Sequence, residues 1–377
     1  MKTKKITFID LVSKYKPFVE QFHKDLDRVL ASGTFILGQE VLRFEESIKH
    51  STKTAGAIGV GNGTDALILC LKAMNIGPRD EVITTSMSYL ATASSIALVG
   101  ATAVCVDIDN SLNLDPDKIE AAITPQTRAI LVVHLSGIPA DVDQIMKIAS
   151  RHGLPVIEDC AQAFGAEISG QAVGTFGRLG TISFHPLKNL GTLGDGGIIL
   201  AQREEDIRWL EQARNHGHKN RDECDFWSIN SRLDELHAAF LNTMLEYYPE
   251  EVKRRQRLAD IYKLELKGVV KFPLVPPGAK PSFNWIMMLV DQREELVKFL
   301  AEQGTELKIH YPYLMPDLKS AVKNCRVHGS LENSRNMVKK IISVPAAEHI
   351  SESDVRYICE QIKNFYAKTP LILNNTH

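Results

Sequence analysis

The sequence lacks an excess of charge of either sign. Its 377 residues include 44 Lys and Arg against 46 Asp and Glu, which gives a formal net charge of −2. A broad positive surface for nucleic acid or for an anionic membrane is therefore not expected. We predict neither a nucleic acid partner nor a membrane partner, and any anion that binds must be held by a local group of residues.

Paired cysteines and long apolar runs are also missing. The cysteines lie far apart without a Cys-x-x-Cys pair, at positions Cys70, Cys105, Cys160, Cys224, Cys325 and Cys359. This favours buried, reduced thiols over a disulfide framework or a zinc site. Charges at Asp10, Lys14 and Lys16 interrupt the N-terminus where a signal peptide is apolar, and no run reaches the roughly 18–20 apolar residues that span a bilayer. We predict a cytoplasmic protein without a bound metal.

What is present is the composition of an ordinary globular protein, with 44% hydrophobic and 24% charged residues. Between residues 55 and 202, short β-branched runs alternate with stretches of helical periodicity. The predicted strands cover residues 57–60, 82–85, 103–106, 129–134, 155–158, 181–184 and 198–200. This alternation predicts an α/β fold with a mostly parallel sheet and helices on both faces, and it places ligands beyond the carboxyl ends of the strands.

Three segments are predicted along the chain. Residues 1–30 contain a helical pattern and are expected to pack with the smaller domain, and residues 31–255 form the large domain. A change to proline-rich composition around residues 273–281 follows a long helical segment. The smaller, α+β domain is predicted for residues 256–377, since strand and helix patterns alternate again there.

A glycine-rich turn follows the first predicted strand, in the segment Gly59-Val60-Gly61-Asn62-Gly63-Thr64-Asp65. Backbone N–H groups at the start of a helix form an anion site in such a turn. Close packing of strand and helix explains the same glycines equally well. A dinucleotide fingerprint fits poorly because no acidic residue ends the next strand, which closes with Thr84, Thr85 and Ser86.

Two other segments carry side chains that suggest chemistry. Asp159 ends a buried strand, so its charge needs a partner, either an arginine or a cationic ring nitrogen that Gln162 could also contact. Lys188 lies between a strand and a loop with four glycines, in a mostly apolar stretch. A desolvated lysine has a lowered pKa and becomes a nucleophile for carbonyl groups, although most lysines are simply exposed.

Several motifs in this order resemble the DegT/DnrJ/StrS sugar aminotransferases. They are Gly-Asn-Gly-Thr at 61–64, Glu-Asp-Cys-Ala-Gln-Ala-Phe-Gly at 158–165, Ser-Phe-x-x-x-Lys-Asn at 183–189, Gly-Asp-Gly-Gly at 194–197 and Asn-Ser-Arg at 230–232. The resemblance covers nearly the whole chain. It implies the fold of the fold-type I enzymes that depend on pyridoxal phosphate, which becomes pyridoxamine phosphate during turnover.

The resemblance also implies a role for each matching residue. Lys188 would form the Schiff base and move protons, and Asp159 would keep the pyridine nitrogen protonated. The remaining cofactor contacts would be the N–H groups of Gly63, Thr64 and Asp65, the hydroxyl of Ser183, the ring of Tyr89, the side chain of Gln162 and, from the neighbouring subunit, Asn230. A homodimer with a shared active site follows from the last of these.

Substrate contacts are less well marked. Candidates are His185, His310 and Tyr311, with Lys219 and Arg232 for a substrate phosphate. His216 and His218 could bind a metal by composition, but two histidines in a loop more often do not. Ser136, Ile138 and Ser228 depart from the residues that are common in the family, which leaves the substrate open.

The function that we predict is transfer of an amino group, from glutamate, to a keto or aldehydo sugar. The sugar would be nucleotide-linked, as for cell-surface polysaccharide, or a nonulosonic or octulosonic acid such as 8-amino-octulosonate. The alternatives are a sugar dehydratase that depends on pyridoxamine phosphate and a non-catalytic regulator that binds pyridoxal phosphate. Lys188 argues against the dehydratase, and the lack of a basic patch argues against the regulator.

Overall fold

In the part of the chain that the structure describes, the strands form one large and two small sheets. The computed structural model describes residues 5–368. The strands in these residues are β1 (Gly56–Val60), β2 (Glu81–Thr85), β3 (Thr102–Val106), β4 (Thr127–Val133), β5 (Val156–Asp159), β6 (Glu167–Ile168), β7 (Gln171–Ala172), β8 (Leu179–Ser183), β9 (Gly197–Ala201), β10 (Ala279–Lys280), β11 (Ile286–Leu289), β12 (Cys325–Val327) and β13 (Ile341–Val344).

The large sheet has the strand order β1-β9-β8-β5-β4-β2-β3-β12. Every pairing in it is parallel except the two made by β9, which runs antiparallel to β1 and to β8. The strands β1 and β9 are buried along their full length, as expected for a sheet covered on both faces. The predicted, mostly parallel α/β sheet is confirmed.

The helices of the described residues cover both faces of the sheet and build the smaller domain. They are α1 (Leu11–Tyr15), α2 (Val19–Ser32), α3 (Gln39–Thr52), α4 (Gly63–Ala73), α5 (Ala91–Leu98), α6 (Ile119–Ala122), α7 (Val142–Arg151), α8 (Glu204–Ala213), α9 (Glu235–Glu265), α10 (Arg293–Glu302), α11 (Glu332–Met337) and α12 (Glu352–Lys368). Within the described part of the chain, none of them is long and apolar enough to cross a membrane.

The smaller domain is built on the antiparallel pair β11 and β13. Helices α10 and α12 and the second half of α9 pack around this pair, and their buried apolar side chains form a separate core that includes Leu258, Tyr262, Ile286, Leu300 and Ile358. The strand β12 does not belong to this domain, although it lies within residues 256–377, because it pairs with β3 at the edge of the large sheet. Residues 369–377 of the predicted domain lie outside the described residues.

The N-terminal segment contacts both domains rather than the smaller one alone. Near its start, the N–H of Ile6 donates to the carbonyl of Gly304 at 2.8 Å, which ties it to the smaller domain. Helix α2 instead packs on the first half of α9 in the large domain, where the rings of Phe22 and Phe240 lie 4.5 Å apart. The apolar spacing of residues 18–30 predicts the helix but not the face it packs on. Residues 1–4 lie outside the described residues.

Most cysteines are buried, and the described ones form no disulfide. Cys70, Cys105, Cys160 and Cys359 are buried, as predicted from their apolar surroundings. Cys224 is exposed and Cys325 is half-buried, so burial does not extend to all six.

The start of α3 is held by a carboxylate from the start of α9. The oxygens of Glu235, which is buried, accept N–H groups from Gly38 at 2.8 Å, Glu40 at 2.9 Å and Val41 at 3.0 Å. These are N–H groups that the helix itself leaves without a partner, and a negative charge there also favours the helix dipole. The two helices that flank the large sheet are therefore joined by charge-assisted hydrogen bonds.

We expect Glu235→Gln to lower the free energy of unfolding by about 1–3 kcal/mol, because the amide cannot accept from all three buried N–H groups. Urea denaturation of the cofactor-free protein measures this change. The matched control is Glu246→Gln on the exposed side of α9, whose carboxylate lies 3.7 Å from Arg43. This control should change stability by about 0.5 kcal/mol or less. Equal effects of the two substitutions would contradict the assignment.

Candidate active site

A cavity of about 370 Å³ opens at the carboxyl ends of β1, β4, β5 and β8. This is the position expected for a ligand site in a parallel sheet. Seven of the predicted cofactor contacts line it, namely Gly63, Thr64, Tyr89, Asp159, Gln162, Ser183 and Lys188. Three of the predicted substrate contacts, His185, His310 and Tyr311, line it as well. Residues from distant parts of the sequence thus meet in one cavity.

Lys188 follows β8 in a tight turn, in which its N–H donates to the carbonyl of His185 at 2.8 Å. Burial lowers the pKa of its ammonium group to about 8, and the negative charge of Asp159 partly opposes this. A larger fraction of the side chain is therefore the free amine near neutral pH than for an exposed lysine. The free amine is the form that attacks a carbonyl carbon.

Asp159 ends β5 with its carboxylate almost completely buried. One oxygen accepts the hydroxyl of Thr92 at 3.0 Å, and the other accepts the N–H of Ala161 at 3.1 Å. Burial raises the pKa of this carboxyl, while the two hydrogen bonds and the charge of Lys188 act in the opposite direction. A buried carboxylate in this situation is stabilised by a cationic partner in the cavity, such as a protonated ring nitrogen.

The glycine-rich turn forms the end of the cavity nearest α4. The side chain of Asn62 caps this helix by accepting the N–H of Asp65 at 2.9 Å. That N–H already has a partner, so its predicted contact with a phosphate stays a prediction, whereas Gly63 and Thr64 supply the first N–H groups of α4. A Cβ at position 63 would lie 2.8 Å from the Cβ of Ser183, so only glycine fits beside it.

The carboxylate of Asp65 points away from this anion site, as its charge requires. It accepts the hydroxyl of Ser231 at 2.7 Å and the amide of Asn62 at 3.0 Å. The same Ser231 oxygen accepts the N–H of Gly61 at 2.9 Å. The segment after residue 214 is thereby tied to the glycine-rich turn, a link that the sequence does not reveal.

Gln162 and Tyr311 form the wall opposite the turn. The side chain of Gln162 accepts the N–H of Ser136 at 2.8 Å and donates to the hydroxyl of Tyr311 at 2.8 Å. The ring of Tyr89 lies 5.9 Å from that of Tyr311 and is half exposed. Gln162 therefore orients Tyr311, and its predicted contact with the cofactor stays a prediction.

His310 is held as a neutral ring. Its plane stacks on Trp285 with 4.8 Å between centroids, and its Nδ1 lies 3.0 Å from the hydroxyl of Ser343. Burial lowers the pKa of His310 to about 4, and the positive charge of Lys188 acts in the same direction. Near neutral pH this side chain contributes hydrogen bonds rather than charge.

Four predicted residues do not line this cavity, namely Asp65, Lys219, Asn230 and Arg232. Lys219 and Arg232 line a second cavity of about 360 Å³, together with Asn215, His216, His218 and Arg221. Asn230 is exposed and forms a β-bridge with Asn215. Within one subunit, Lys219, Asn230 and Arg232 therefore lie outside the cavity that contains Lys188.

Sequence reasoning missed several residues of the first cavity. Asn62, Thr92, Asp195 and Trp285 line it without having been singled out. Asn62 could have been found, because an Asn three residues before an Asp at the start of a helix is a common cap. Trp285 could not, because it comes from the smaller domain and no local pattern marks it.

Glu158, next to Asp159, has a structural use. Its carboxylate lies 3.0 Å from Nε2 of His134 and accepts N–H groups from Gly174, Phe176 and Gly177. Nδ1 of His134 accepts the N–H of Ala140, so Nε2 carries the proton and donates to Glu158. Cys160 lies close enough to complete a group of metal-binding atoms, but these hydrogen bonds already satisfy the two other side chains.

The cavity fits pyridoxal phosphate by the chemistry of its donors. It has an amine that can attach to an aldehyde, a buried carboxylate for a ring nitrogen, and helix N–H groups with a hydroxyl for a phosphate. Lys188, Asp159 and the turn at Gly63 and Thr64 would hold these three parts. The donor set alone thus supports the predicted cofactor.

Comparison with known proteins indicates the same kind of enzyme as the residues of the cavity do. A model of the DegT/DnrJ/EryC1/StrS aminotransferase family matches residues 18–363. A pleiotropic regulatory protein of Geobacillus stearothermophilus is 38% identical, with 96% of this chain and 98% of its own length covered. The UDP-N-acetyl-3-dehydro-alpha-D-glucosamine 3-aminotransferase of Acidithiobacillus ferrooxidans is 36% identical, with 95% of this chain and 97% of its own length covered.

A solved structure supports both the fold and the cofactor. The crystal structure of NtdA from Bacillus subtilis, with bound cofactor PMP, has a TM-score of 0.86 at 27% identity and covers 96% of this chain and 87% of that chain. The family match extends over almost all described residues, and the cavity holds the lysine and the carboxylate that the cofactor needs. The chain is a pyridoxal phosphate-dependent aminotransferase and belongs to the DegT/DnrJ/EryC1/StrS aminotransferase family.

Proposed function

We propose that the protein transfers an amino group from glutamate to a nucleotide-linked keto sugar, in amino-sugar biosynthesis for a cell-surface polysaccharide such as lipopolysaccharide. The observation that carries the aminotransferase part is the Lys188 amine facing the same cavity as the Asp159 carboxylate. The named activity of the Acidithiobacillus relative supports the sugar part. We also propose that the reaction takes place in the cytoplasm.

In the first cavity, different residues would bind the cofactor and transfer protons. Pyridoxal phosphate, when bound, supplies a ring that withdraws electrons from the carbon bearing the amine. Lys188, with its lowered pKa, would attach to the aldehyde carbon with loss of water and, as a free amine, would carry a proton between two carbons. Asp159 holds a proton on the ring nitrogen, because the buried carboxylate favours a cation next to it. Gly63 and Thr64 hold the phosphate through N–H groups.

The second cavity supports the nucleotide-linked substrate. Lys219, Arg221 and Arg232 place three cationic side chains around it. Arg232 donates to Asn215 at 2.9 Å and Lys219 lies 3.7 Å from Glu223, so neither of these two is held by a buried carboxylate. Guanidinium groups bind phosphate oxygens in pairs. We propose that this cavity binds the diphosphate of the sugar nucleotide in a site shared between two subunits.

The position of Asn230 supports the proposed shared site. It is exposed on its own subunit and adjoins the second cavity through its bridge to Asn215. Trp227, three residues earlier, is 95% exposed, which is unusual for a side chain of this size in a protein that stays monomeric. We propose a two-fold symmetric homodimer in which Asn230 reaches the cofactor phosphate of the partner subunit.

The alternatives fit less well. A dehydratase would not need the reactive amine of Lys188, and an octulosonic acid carries no diphosphate for the cations of the second cavity. The Geobacillus relative is named as a regulator. A regulator would not need Lys188 with a lowered pKa next to Asp159, and both are present here. We therefore favour catalysis over regulation and a nucleotide-linked sugar over a sugar acid.

Attachment of pyridoxal phosphate to the cofactor-free protein should accelerate with rising pH, with a midpoint near pH 8 and a plateau at higher pH. The reason is that only the free amine of Lys188 reacts and its pKa is lowered to about 8. In Asp159→Asn the midpoint should move to lower pH, because the charge that opposes the lowering is gone. Stopped-flow absorbance measures the rate, and borohydride reduction followed by peptide mass spectrometry locates the cofactor. A midpoint near the ordinary lysine value, or a label on another lysine, would refute the assignment.

Amine transfer from glutamate should be detected with nucleotide-linked keto sugars and be at least about tenfold less efficient, in kcat/KM, with the same sugar without its nucleotide. Arg232→Gln should raise KM for the linked sugar by about 10- to 100-fold, since a hydrogen bond to a charged group contributes roughly 1.5–3 kcal/mol. The control is Arg208→Gln on the exposed face of α8, which should leave KM unchanged. Transfer to an octulosonic acid alone would overturn the substrate but not the aminotransferase.

Subunit exchange between two inactive variants, Lys188→Ala and Asn230→Asp, should restore part of the activity. If Asn230 acts on the partner's site, each mixed dimer contains one site with both native residues. Random exchange then restores up to about a quarter of wild-type activity. The aspartate is chosen because its charge repels the phosphate and keeps the background low. If Asn230 serves its own subunit, every site stays defective and the mixture remains inactive.

A further inference from the structure

Lys14, on the short helix α1, is a buried cation that the reaction described above does not use. Only 4% of its surface is exposed. Its Nζ donates to the carbonyl oxygen of Lys188 at 2.6 Å and to that of Pro186 at 3.2 Å. The carboxylate of Glu348, from the smaller domain, lies 3.8 Å away. One ammonium group thus holds two carbonyls of the turn that carries the reactive lysine.

The loop after β8 is held from outside at further points. The hydroxyl of Tyr15, next to Lys14, donates to the carbonyl of Thr192 at 3.0 Å. The N–H of Asn189 donates to the side chain of Asn284, which lies just before β11, at 3.1 Å. The loop that carries Lys188 is therefore fixed by the N-terminal segment and by the smaller domain. Of these contacts, only the one from Lys14 reaches the backbone of Lys188 itself.

The cost of burying Lys14 indicates that its role is more than packing. Burial lowers the pKa of its ammonium group, and the charge of Glu348 opposes this. A buried charge is expensive, and an apolar side chain of similar size often gives equal or greater stability at such positions. What an apolar side chain cannot do is donate to the carbonyls of residues 186 and 188. Fixing these carbonyls sets the backbone from which the Lys188 side chain extends.

We propose that Lys14 is a positioning residue for Lys188, whose ammonium group fixes the Pro186 and Lys188 carbonyls and so aims the reactive amine at the cofactor. The inference rests on the proposed role of Lys188. A displacement of about 1 Å in a reacting group can lower a rate about 100-fold. Loss of the ammonium group should therefore act on the rate more than on substrate affinity.

The test compares Lys14→Met and Lys14→Arg in the holoenzyme. Lys14→Met keeps the length of the side chain without its donors, and we expect kcat to fall about 10- to 100-fold while KM for glutamate changes less than about threefold. Lys14→Arg keeps the charge and the donors in a larger group, so its kcat should lie between that of Lys14→Met and the wild type. The visible circular dichroism of the bound cofactor should change in the same order, since it reports how the cofactor is seated.

The control is Lys16→Met, at an exposed lysine two residues away, and it should leave both kcat and the dichroism unchanged.

Wild-type kcat and dichroism in Lys14→Met would overturn the proposal. The proposal would also be overturned if Lys14→Met lowered kcat only as far as it lowered the urea midpoint of unfolding, and if Lys14→Arg did not restore kcat. If Lys14→Met does not fold, Lys14→Gln replaces it, because its shorter, uncharged side chain cannot reach both carbonyls, and wild-type kcat and dichroism there would overturn the proposal. Failure of borohydride to label Lys188 in the wild type would instead overturn the proposed function, and this inference with it.

Discussion

The withdrawal of Lys188 and Asp159 from water is the constraint on which the rest of the site depends. Burial acts in opposite directions on the two groups, lowering the pKa of the amine and raising that of the carboxyl. Each charge in turn favours the charged form of the other, so the two environments are coupled. Their positions after β8 and at the end of β5, which are neighbouring parallel strands, make this coupling a direct result of the sheet order.

The walls of the cavity that holds Lys188 and Asp159 come from both domains. Trp285, His310 and Tyr311 come from the chain after the proline-rich segment at residues 273–281 and also line the cavity. Lys14 and Asn284 then hold the Lys188 loop from the N-terminal segment and from the smaller domain. Three parts of the chain thus meet at one loop.

The sequence predicted the parts of the site that are carried by local patterns. Lys188, Asp159 and the turn at Gly63 each lie where a strand gives way to a loop or a helix, and a strand end is visible in the order of residues. Contacts between residues that are far apart in the chain are not marked by any local sequence pattern. Lys14 reads as one more charge near the N-terminus, and β12 has only three residues, too few for a periodicity. The motif places the N–H of Asp65 at the phosphate, but it does not reveal that the side chain of Asn62 accepts this N–H.

The separation of the two cavities has an electrostatic reason under the proposed function. A diphosphate needs several cations, and those cations would lower the pKa of any amine close to them and disturb the balance between Lys188 and Asp159. Lys219, Arg221 and Arg232 lie in the second cavity, and in the first the half-buried ring of His310 is neutral near pH 7. A long substrate could then be held by its charged end in one cavity while its carbonyl reacts in the other. Within one subunit, burial lowers the pKa of Lys188 and Asp159 opposes this, and none of the three cations acts on it.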